Sequence, residues 1–321
     1  MVREKTIRSF LVCSTAVLLC LALAGCPARE PEVPEREVSL AASQEFITSE
    51  EGLVSLEETY DFQFGIIYEM AIGLTHEALR QGDVDAAIGY ATDGKIKEID
   101  LLLLEDDRGA FPARNPAPVI QGEVLEKYPQ IETVLAEVAR QLDSRAMSEL
   151  NFRADIEEEE HADVAMDWLL EKELISRTET FAPGEEPVRV GSKEFTEQLI
   201  LRYITIYALQ DAGIPVEDQM HRVGTGATRA ALLYGDIDLY WEYTGVAWNS
   251  IFGEEEIIAD SDRVFEKVAA RDAETGLIWL QYAPLNKTYT VMMYKDQAET
   301  LEINTLSEFA LWVKQVQAGE Y

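Results

Sequence analysis

An internal repeat in the sequence predicts an α/β fold of two lobes. In each copy a helical run with an Ala-Leu pair ends at a glycine, Gly82 or Gly235, and an Asp-Val-Asp or Asp-Ile-Asp turn leads into a short apolar strand. A tyrosine, Tyr90 or Tyr243, stands eight residues after that glycine. Ligands of open α/β sheets bind beyond the carboxyl ends of the strands, so facing lobes would direct both tyrosines into one cleft. The alternative is two ordinary βα units whose tyrosines pack in separate cores.

The composition indicates an acidic globular protein. The chain has 321 residues, of which 47% are hydrophobic and 9% aromatic, and this suits about two domains with cores of their own. Sixty acidic residues against 27 basic residues give a formal charge of −33. Phosphate backbones and anionic lipid surfaces would be repelled by this charge, so nucleic acid is not expected as a partner.

Cysteine and histidine are too sparse for the common metal and catalytic sites. All three cysteines lie within the first 26 residues, which leaves the body of the chain without a thiol for a disulfide, for zinc or for catalysis. The three histidines, His76, His161 and His221, are scattered singly. We therefore expect no metal, no cofactor and no enzymatic activity.

The N-terminal 38 residues are typical of a secreted, anchored protein. A positively charged start precedes an apolar run, residues 10–24, that is short for a membrane span and typical of a secretory signal. Its end, Leu23-Ala24-Gly25-Cys26, resembles the bacterial lipoprotein cleavage box, in which the cysteine becomes the lipidated first residue. We expect a lipoprotein signal peptide at residues 1–25 and a proline-rich tether at residues 26–38. The protein would then be extracytoplasmic, in the periplasm or at the cell surface, and attached to the membrane through Cys26.

Hydrophobic patterns place the remaining elements in chain order. Apolar runs between charged or turn residues predict strands at residues 39–43, 101–104, 116–120, 188–190, 277–280 and 288–294. Helical spacing predicts helices at residues 53–60, 75–80, 131–142, 162–174, 199–212, 262–275 and 305–315. The continuous apolar run at 101–104 is typical of a buried parallel strand. Residues 45–47 are expected to enter a loop.

Lys193 stands where a predicted strand passes into the N-terminus of a helix. Free backbone N–H groups together with an ammonium favour a carboxylate at such a position. The alternative is an ordinary surface lysine. A glycine loop at residues 224–226 precedes another helix, but alone it is too weak a motif to indicate a phosphate loop.

Nine short motifs, each weak alone, carry a family resemblance. Four lie in the second half of the chain: Gly191-Ser192-Lys193-Glu194-Phe195-Thr196-Glu197-Gln198, the glycine loop 224–226, Glu242-Tyr243-Thr244-Gly245 and Asn286-Lys287-Thr288-Tyr289. Five lie in the first half: Gln44-Glu45-Phe46, Tyr90-Ala91-Thr92-Asp93-Gly94, Leu104-Glu105-Asp106-Asp107-Arg108-Gly109, Glu126-Lys127-Tyr128-Pro129 and Glu149-Leu150-Asn151-Phe152. Together they resemble the glycine betaine/choline-binding proteins of osmoprotectant ABC importers.

The resemblance implies a two-lobe, periplasmic-binding-protein-like (type II) α/β fold, but with the halves in reversed order. In the family the segment that resembles residues 188–318 comes first, and the segment that resembles residues 39–175 follows it. The chain therefore looks circularly permuted, with residues 176–187 as the connector; the alternative is a fragment of a tandem two-domain chain. In the permuted arrangement, residues 39–112 plus 289–321 would form one discontinuous lobe and residues 113–288 the other.

The resemblance also implies a set of ligand-binding residues. Tyr90, Tyr243 and Tyr289 fall at the family's aromatic-cage positions, and Lys193 matches a position that contacts the ligand carboxylate. Thr225, Thr92 and Arg114 are expected to contribute more weakly. A quaternary ammonium cannot donate a hydrogen bond and is best held by the negative faces of aromatic rings, which agrees with a cage. The chain departs from the family pattern at Ser49, Arg114 and Val246.

The predicted function is capture of glycine betaine, choline or a related quaternary ammonium osmoprotectant by closure of the two lobes. A cognate ABC permease and its ATPase would be the partners that receive the ligand. One alternative is a ligand-sensing module with the same pocket and no transport role. A second is a secreted hydrolase that uses paired carboxylates, although the sequence contains no recognisable nucleophile or base constellation.

Overall fold

The computed structural model describes residues 36–176, 186–219 and 223–320. The expected signal peptide, Cys26, most of the expected tether and connector, and His221 lie outside these ranges. None of the helices within them has the length and apolar character needed to span a bilayer.

Strands and helices alternate along most of the described chain. The strands are β1 (Ser39–Ala42), β2 (Ile66–Glu69), β3 (Ala86–Tyr90), β4 (Leu101–Leu103), β5 (Pro116–Gln121), β6 (Val188–Val190), β7 (Val216–Asp218), β8 (Leu239–Tyr243), β9 (Leu277–Trp279) and β10 (Tyr289–Tyr294). The helices of the first half are α1 (Gln44–Thr48), α2 (Ser55–Tyr60), α3 (Ile72–Gln81), α4 (Lys95–Ile99), α5 (Gly122–Lys127), α6 (Gln130–Gln141), α7 (Ser144–Asp155) and α8 (His161–Glu171). Those of the second half are α9 (Thr196–Asp211), α10 (Gly224–Tyr234), α11 (Thr244–Val246), α12 (Ser261–Ala273), α13 (Lys295–Thr300) and α14 (Leu306–Gln317). Wider π-type turns, Glu50–Val54 and Ala247–Ile251, precede α2 and follow α11.

The strands form two five-stranded sheets of the same plan. The first has the order β2-β1-β3-β10-β4 and the second the order β7-β6-β8-β5-β9. In the first, β1 pairs in parallel with β2 and β3, and β10 pairs antiparallel with β3 and β4. In the second, β6 pairs in parallel with β7 and β8, and β5 pairs antiparallel with β8 and β9. We call the first sheet and its helices lobe 1, and the second sheet and its helices lobe 2. The predicted α/β fold class with two lobes is confirmed.

Apolar side chains cover both faces of each sheet. In lobe 1, Leu40 and Ile88 belong to one buried cluster, whereas their neighbours Ala41 and Ala87 belong to another. Successive residues of a strand point to opposite faces, so both faces of this sheet are buried under helices. Lobe 2 repeats the arrangement around β5 and β8. This double cover explains why the central strands read as continuous apolar runs in the sequence.

Side-chain caps and glycines fix where several helices begin and end. Asp143 and Asp260 accept hydrogen bonds from backbone N–H groups in the first turns of α7 and α12, and Thr305 forms a capping box with Glu308 at the start of α14. Such caps satisfy N–H groups that have no partner inside the helix and stabilise it by about 1 kcal/mol each. Gly213, just after α9, has a φ of 77°, which agrees with the predicted stop.

The described chain crosses between the sheets at residues 104–115, between β4 and β5, and at residues 280–288, between β9 and β10. We call these the crossing segments. They are hydrogen-bonded to each other: the Lys287 N–H donates to the Arg114 carbonyl at 3.1 Å, and the Arg114 N–H donates to Asn286 Oδ1 at 2.7 Å. The Thr288 hydroxyl donates to the Pro112 carbonyl at 2.8 Å. After each crossing the chain supplies the antiparallel strand of the sheet that it enters.

Two sequence-based expectations about local structure are wrong. Residues 45–47 lie in α1, not in a loop, because the Ser43 side chain caps this helix and accepts a hydrogen bond from the Phe46 N–H. The apolar run at 101–104 forms β4 at the edge of its sheet, where its one partner among the described strands is the antiparallel β10. An apolar run indicates burial but not the direction of its partner strand, because the partner here is some 190 positions away in the chain.

Candidate functional site

A cavity of about 260 Å³ lies between the lobes, where β3 and β8 end. Both lobes and both crossing segments contribute to its wall. The lining residues are Glu45, Glu51, Tyr90, Arg114, Lys193, Glu194, Phe195, Gly224, Thr225, Tyr243, Val246, Ser250 and Lys287. Three carboxylates and three basic groups in this list make the wall polar and nearly balanced in charge, which suits a small zwitterion.

Tyr90 is the last residue of β3, and its ring is sandwiched between an aromatic ring and a cation. It stacks on Tyr289, with ring centroids 5.3 Å apart and planes inclined by 17°. The Lys287 ammonium nitrogen lies 4.3 Å from the Tyr90 centroid and 5.2 Å from the Phe195 centroid. A cation over an aromatic face is attracted by the ring quadrupole. Tyr90 and Phe195 thus face one position that favours a positive charge.

Tyr243 is the last residue of β8 and is buried, with 2% of its surface exposed. Its hydroxyl donates a hydrogen bond to Glu197 Oε1 at 2.6 Å, and its ring lies 6.1 Å from that of Phe195 at an angle of 29°. Burial raises the pKa of the Tyr243 hydroxyl well above its usual value, and the Glu197 carboxylate acts in the same direction. The hydroxyl therefore stays a donor at physiological pH.

Lys193 is held by a buried carboxylate. Its ammonium donates to Glu242 Oε1 at 2.5 Å, and both side chains are almost fully buried. The same carboxylate accepts from the Tyr240 hydroxyl at 2.9 Å and from the Tyr243 N–H at 2.7 Å. The Lys193 nitrogen also lies 5.4 Å from the Tyr243 centroid. Lys193 thus presents a fixed ammonium, neutralised on one side, to the lobe 2 wall of the cavity.

Arg114 forms the corresponding buried pair at the crossing segments. Its guanidinium donates to Glu51 Oε1 at 2.5 Å and lies 4.7 Å from the centroid of the Tyr289 ring. Burial acts most strongly and against the charged form of Arg114, but the Glu51 carboxylate together with Tyr289 and Tyr90 outweighs this effect, so the pKa of the guanidinium is raised. Arg114 therefore remains a cation, and an arginine with free N–H groups can bind a carboxylate by two parallel hydrogen bonds.

The predicted ligand-binding residues fall into three groups in the structure. Five of them line the cavity: Tyr90, Tyr243, Lys193, Thr225 and Arg114. Tyr289 lies behind Tyr90, 1% exposed, with Phe46 and Phe111 against its edges. Thr92 is fully buried and its carbonyl accepts from Asn151. Neither Tyr289, expected in the aromatic cage, nor Thr92, expected as a weaker ligand contact, is among the lining residues. Cys26 lies outside the described residues.

Sequence reasoning missed five charged or aromatic residues in this wall. Four of them lie inside motifs that carried the family resemblance, so their positions could have been read from those motifs: Glu45, Glu194, Phe195 and Lys287. Glu51 gave no such signal, because its π-type turn has no sequence pattern of its own. Of the positions at which the chain departs from the family pattern, Val246 lines this cavity and Ser49 does not.

A second cavity of about 750 Å³ adjoins the first and shares Glu51 and Ser250 with it. Its wall is rich in carboxylates, which come from both lobes: Glu50, Glu51, Glu58, Glu254 and Glu255. Ser49 lies in this wall. The wall of the smaller cavity is thus bordered by a region of strongly negative charge.

A family model described as the substrate-binding domain of ABC-type glycine betaine transport systems matches residues 28–171 and 186–318. The two segments together cover most of the chain. The chain belongs to this family of substrate-binding domains. The family resemblance predicted from the nine motifs is confirmed, and so is the predicted class of function, solute binding in ABC transport.

Several curated proteins are similar to one half of this substrate-binding domain. It is 32% identical over 136 residues to the carnitine transport binding protein OpuCC of Listeria monocytogenes, a match that covers 42% of this chain and 44% of the relative. It is 36% identical over 137 residues to a glycine-betaine-binding protein of Pseudomonas aeruginosa, with the same coverage. It is 34% identical over 140 residues to the glycine betaine-binding protein YehZ of Escherichia coli, covering 41% of this chain and 46% of the relative. The chain thus matches less than half the length of each of these relatives.

Among solved structures, one described as a glycine betaine/carnitine/choline ABC transporter is 28% identical to this domain. The match covers 43% of this chain and 50% of that chain, with a TM-score of 0.38.

Proposed function

We propose that this substrate-binding domain captures glycine betaine, choline or a related quaternary ammonium osmoprotectant in the cavity between its lobes. It then delivers the ligand to a cognate ABC permease and its ATPase, without chemical change. The observation that carries the proposal is the position of the Lys287 ammonium, 4.3 Å from the centroid of Tyr90 and 5.2 Å from that of Phe195. A cation of the chain itself occupies these ring faces, which supports their use by the cationic end of a ligand.

The remaining wall suits the other end of a betaine. A quaternary ammonium cannot donate hydrogen bonds, so it gains most from aromatic faces and from exclusion of water. A carboxylate needs N–H donors, and the cavity offers the ammonium of Lys193 and the guanidinium of Arg114. Thr225 stands at the start of α10, where free N–H groups of a helix N-terminus favour an anion. The names of the relatives, which refer to carnitine and glycine betaine, agree with this ligand class.

Calorimetric titration with glycine betaine, proline betaine, choline, carnitine and ectoine tests the proposed function. We expect saturable 1:1 binding of at least one of the quaternary ammonium compounds and none of ectoine. Replacement of Tyr90, Tyr243 or Tyr289 by alanine should weaken binding by about 1 to 2 kcal/mol, roughly five- to thirtyfold. The exposed Tyr294 at the other end of β10 offers a control, because Tyr294→Ala should leave binding unchanged. If all three ring variants bind as tightly as the wild type, the aromatic cage is wrong.

The membrane anchor is a separate part of the proposal. It rests on the Leu23-Ala24-Gly25-Cys26 box and the preceding apolar run, and it makes Cys26 the lipidated residue of an extracytoplasmic protein. Cys26→Ser should move the protein from the membrane fraction to the soluble extracytoplasmic fraction, because the lipid is lost. Unchanged partitioning of this variant would contradict lipid anchoring through Cys26.

We also propose that the chain is a circular permutant of its family and folds as one unit. In support, β1 and β10 share one sheet although they stand some 250 positions apart. The two ends of the described chain also approach each other: the Gly65 N–H donates to the Val38 carbonyl, and the Gln317 side chain donates to the Gln63 carbonyl. Linear matches to relatives span only half of either chain, as a reversed order of halves would produce.

The permutation is tested by restoring the family's order of halves. The connector of 12 residues, 176–187, would be cut, and residue 319 would be joined to residue 38 through a short Gly-Ser linker. We expect a monomer with cooperative unfolding and the ligand affinity of the natural chain. A rearranged chain that folds without binding would contradict the permutation, and so would light scattering that finds the natural chain to be a dimer with exchanged lobes.

A further inference from the structure

The three basic side chains in the wall of the smaller cavity differ in how their charges are balanced. Lys193 is paired with Glu242, and Arg114 is paired with Glu51. Lys287 has no carboxylate within ion-pair distance among the residues that the structure describes. Its ammonium lies over the ring faces of Tyr90 and Phe195, and the Asp93 carboxylate attracts it from beyond ion-pair distance. Lys287 is therefore the cation of this wall that is most readily moved.

The backbone of Lys287 is fixed even though its charged end is not. Its N–H donates to the Arg114 carbonyl at 3.1 Å, inside the paired crossing segments. The side chain is only partly buried, and four rotatable bonds separate the ammonium from that anchored backbone. The ammonium can thus leave the rings and still remain at the cavity, at the end of a short tether.

From this arrangement we propose that Lys287 determines ligand specificity and makes the cavity select zwitterionic betaines over choline. The inference rests on the proposed function. The quaternary ammonium of an incoming ligand takes the faces of Tyr90 and Phe195, and it displaces the Lys287 ammonium from them. The displaced ammonium then pairs with the carboxylate of the same ligand, so a betaine supplies both the replacement cation and a new partner for Lys287.

Choline supplies only the first of these two groups. It carries a quaternary ammonium and a hydroxyl, so it would displace Lys287 from the rings without offering a carboxylate in return. Two positive charges would then share one small cavity, and like charges in a partly desolvated site repel each other. Of the three carboxylates in the wall, Glu51 is already paired with Arg114 and Glu194 accepts from the Gly224 N–H. Glu45 is the wall carboxylate whose pairing with the displaced Lys287 would remove this cost. Lys287 thus favours the binding of a betaine and disfavours the binding of choline.

Titration of glycine betaine and choline against the wild type and Lys287→Gln tests the proposal. Glutamine keeps a polar side chain of similar reach but removes the charge. We expect Lys287→Gln to bind glycine betaine more weakly and choline more tightly, so that the ratio of the two Kd values shifts by on the order of tenfold toward choline, equivalent to about 1.4 kcal/mol. Lys287→Arg keeps the cation and should keep the wild-type ratio within about threefold.

Lys127 offers a matched control. It is also a lysine over an aromatic ring, 5.2 Å from the centroid of Tyr128, but it does not line the cavity. Lys127→Gln should leave both affinities unchanged. Thermal unfolding of each variant separates a change in binding from a loss of folding, and Lys287→Arg provides a second folded variant for the comparison.

The outcomes distinguish the inference from the function on which it rests. A shift of the ratio toward choline in Lys287→Gln, with none in Lys287→Arg or Lys127→Gln, supports the proposal. Equal changes for both ligands overturn it and leave the proposed function intact; pairing of the displaced lysine with Glu45 would produce this result. If neither glycine betaine nor choline binds to the wild type, the inference fails; if none of the quaternary ammonium compounds binds, the proposed function fails with it.

Discussion

The two copies of the sequence repeat have the same local structure in lobes 1 and 2. Gly82 and Gly235 end α3 and α10 with φ values of 75° and 74°. Asp85 accepts from the backbone N–H at the start of β1, at 2.9 Å, and Asp238 accepts from the backbone N–H in the middle of β6, at 2.8 Å. In both lobes the repeat thus ends a helix, ties down the neighbouring strand and places a tyrosine at a strand end.

The surroundings of the two tyrosines differ. Tyr243 is buried, its hydroxyl is bound by Glu197, and the cation beside it, Lys193, is neutralised by Glu242. Tyr90 is partly exposed, and the cation over it, Lys287, has no carboxylate within ion-pair distance in the described part of the chain. The repeat therefore sets the position of each ring, whereas residues from distant parts of the chain decide whether its face is available to a ligand.

The largest expected effect comes from breaking the buried charge pair of lobe 2. Glu242→Gln would leave the Lys193 ammonium buried without a counter-charge, which should lower the free energy of unfolding by about 3 kcal/mol or more. Urea denaturation followed by circular dichroism would measure it. Glu123→Gln, on the exposed face of α5, is the control and should have little effect. Lys287→Gln should also have little effect, because Lys287 has no carboxylate within ion-pair distance among the described residues. A loss below about 1 kcal/mol for Glu242→Gln would refute this difference between the lobes.

A smaller effect should separate the two tyrosine hydroxyls. Tyr243→Phe removes the donor to Glu197 and leaves a buried carboxylate oxygen with one partner fewer, at a cost of about 1 to 3 kcal/mol in unfolding free energy. Tyr90→Phe keeps the ring face and should cost clearly less. Because burial and Glu197 raise the pKa of Tyr243 above that of an unfolded tyrosine, near 10, the folded state holds this proton more tightly. The contribution of the Tyr243 hydroxyl to the free energy of unfolding is therefore complete below about pH 10 and is lost as pH rises further.

Comparing Tyr243→Phe with the wild type between about pH 8 and pH 11 checks the sign of this dependence. The stability difference between the two proteins should shrink above about pH 10. A difference that grows with pH over this interval would mean that the hydroxyl is not held as a neutral donor. The same scan on Tyr90→Phe provides the lobe 1 counterpart.

The smallest expected effect should be equal in the two lobes. Alanine in place of Gly82 or Gly235 would have to adopt a left-handed backbone, which costs about 1 kcal/mol at each position after the entropy gained in the unfolded chain is included. A Cβ added at either position meets no steric clash, so the two variants test the backbone conformation alone. Gly73, inside α3 and without close neighbours, is the control; Gly73→Ala should stabilise by up to about 1 kcal/mol. Unequal costs at the two repeat glycines would show that the copies are not locally equivalent.

Much of the fold could be predicted from the sequence because local patterns encode it. The repeat ends, the capped helices and the central strands all have short-range signals, such as the glycine at position 82 or the apolar run before Tyr243. The strands β2 and β7 were missed, since they are edge strands of four and three residues with exposed positions. The prediction that β4 pairs in parallel was wrong, because its partner strand comes from the far end of the chain. Pairing across such distances leaves no local pattern to read.

The candidate site was less predictable, because its environment is assembled from several segments. Tyr90, Tyr243 and Lys193 could be placed from motif and strand position alone. Packing between elements brings Glu242 to Lys193 and places Tyr90 over Tyr289. The role proposed for Lys287 depends on two ring distances that join lobe 1, lobe 2 and a crossing segment. No spacing along the chain contains that information.

The paired crossing segments have a mechanical consequence. The Lys287 N–H donates to the Arg114 carbonyl, so the two crossing segments are joined where the chain passes between the lobes. We expect closure of the lobes to be a rotation about an axis along this pair, which acts as a hinge. Atoms near a rotation axis travel least, so the backbones of Arg114 and Lys287 should stay almost in place while Tyr243 approaches Tyr90. The proposed ligand would then meet the same backbone positions at the hinge in the open and the closed cavity.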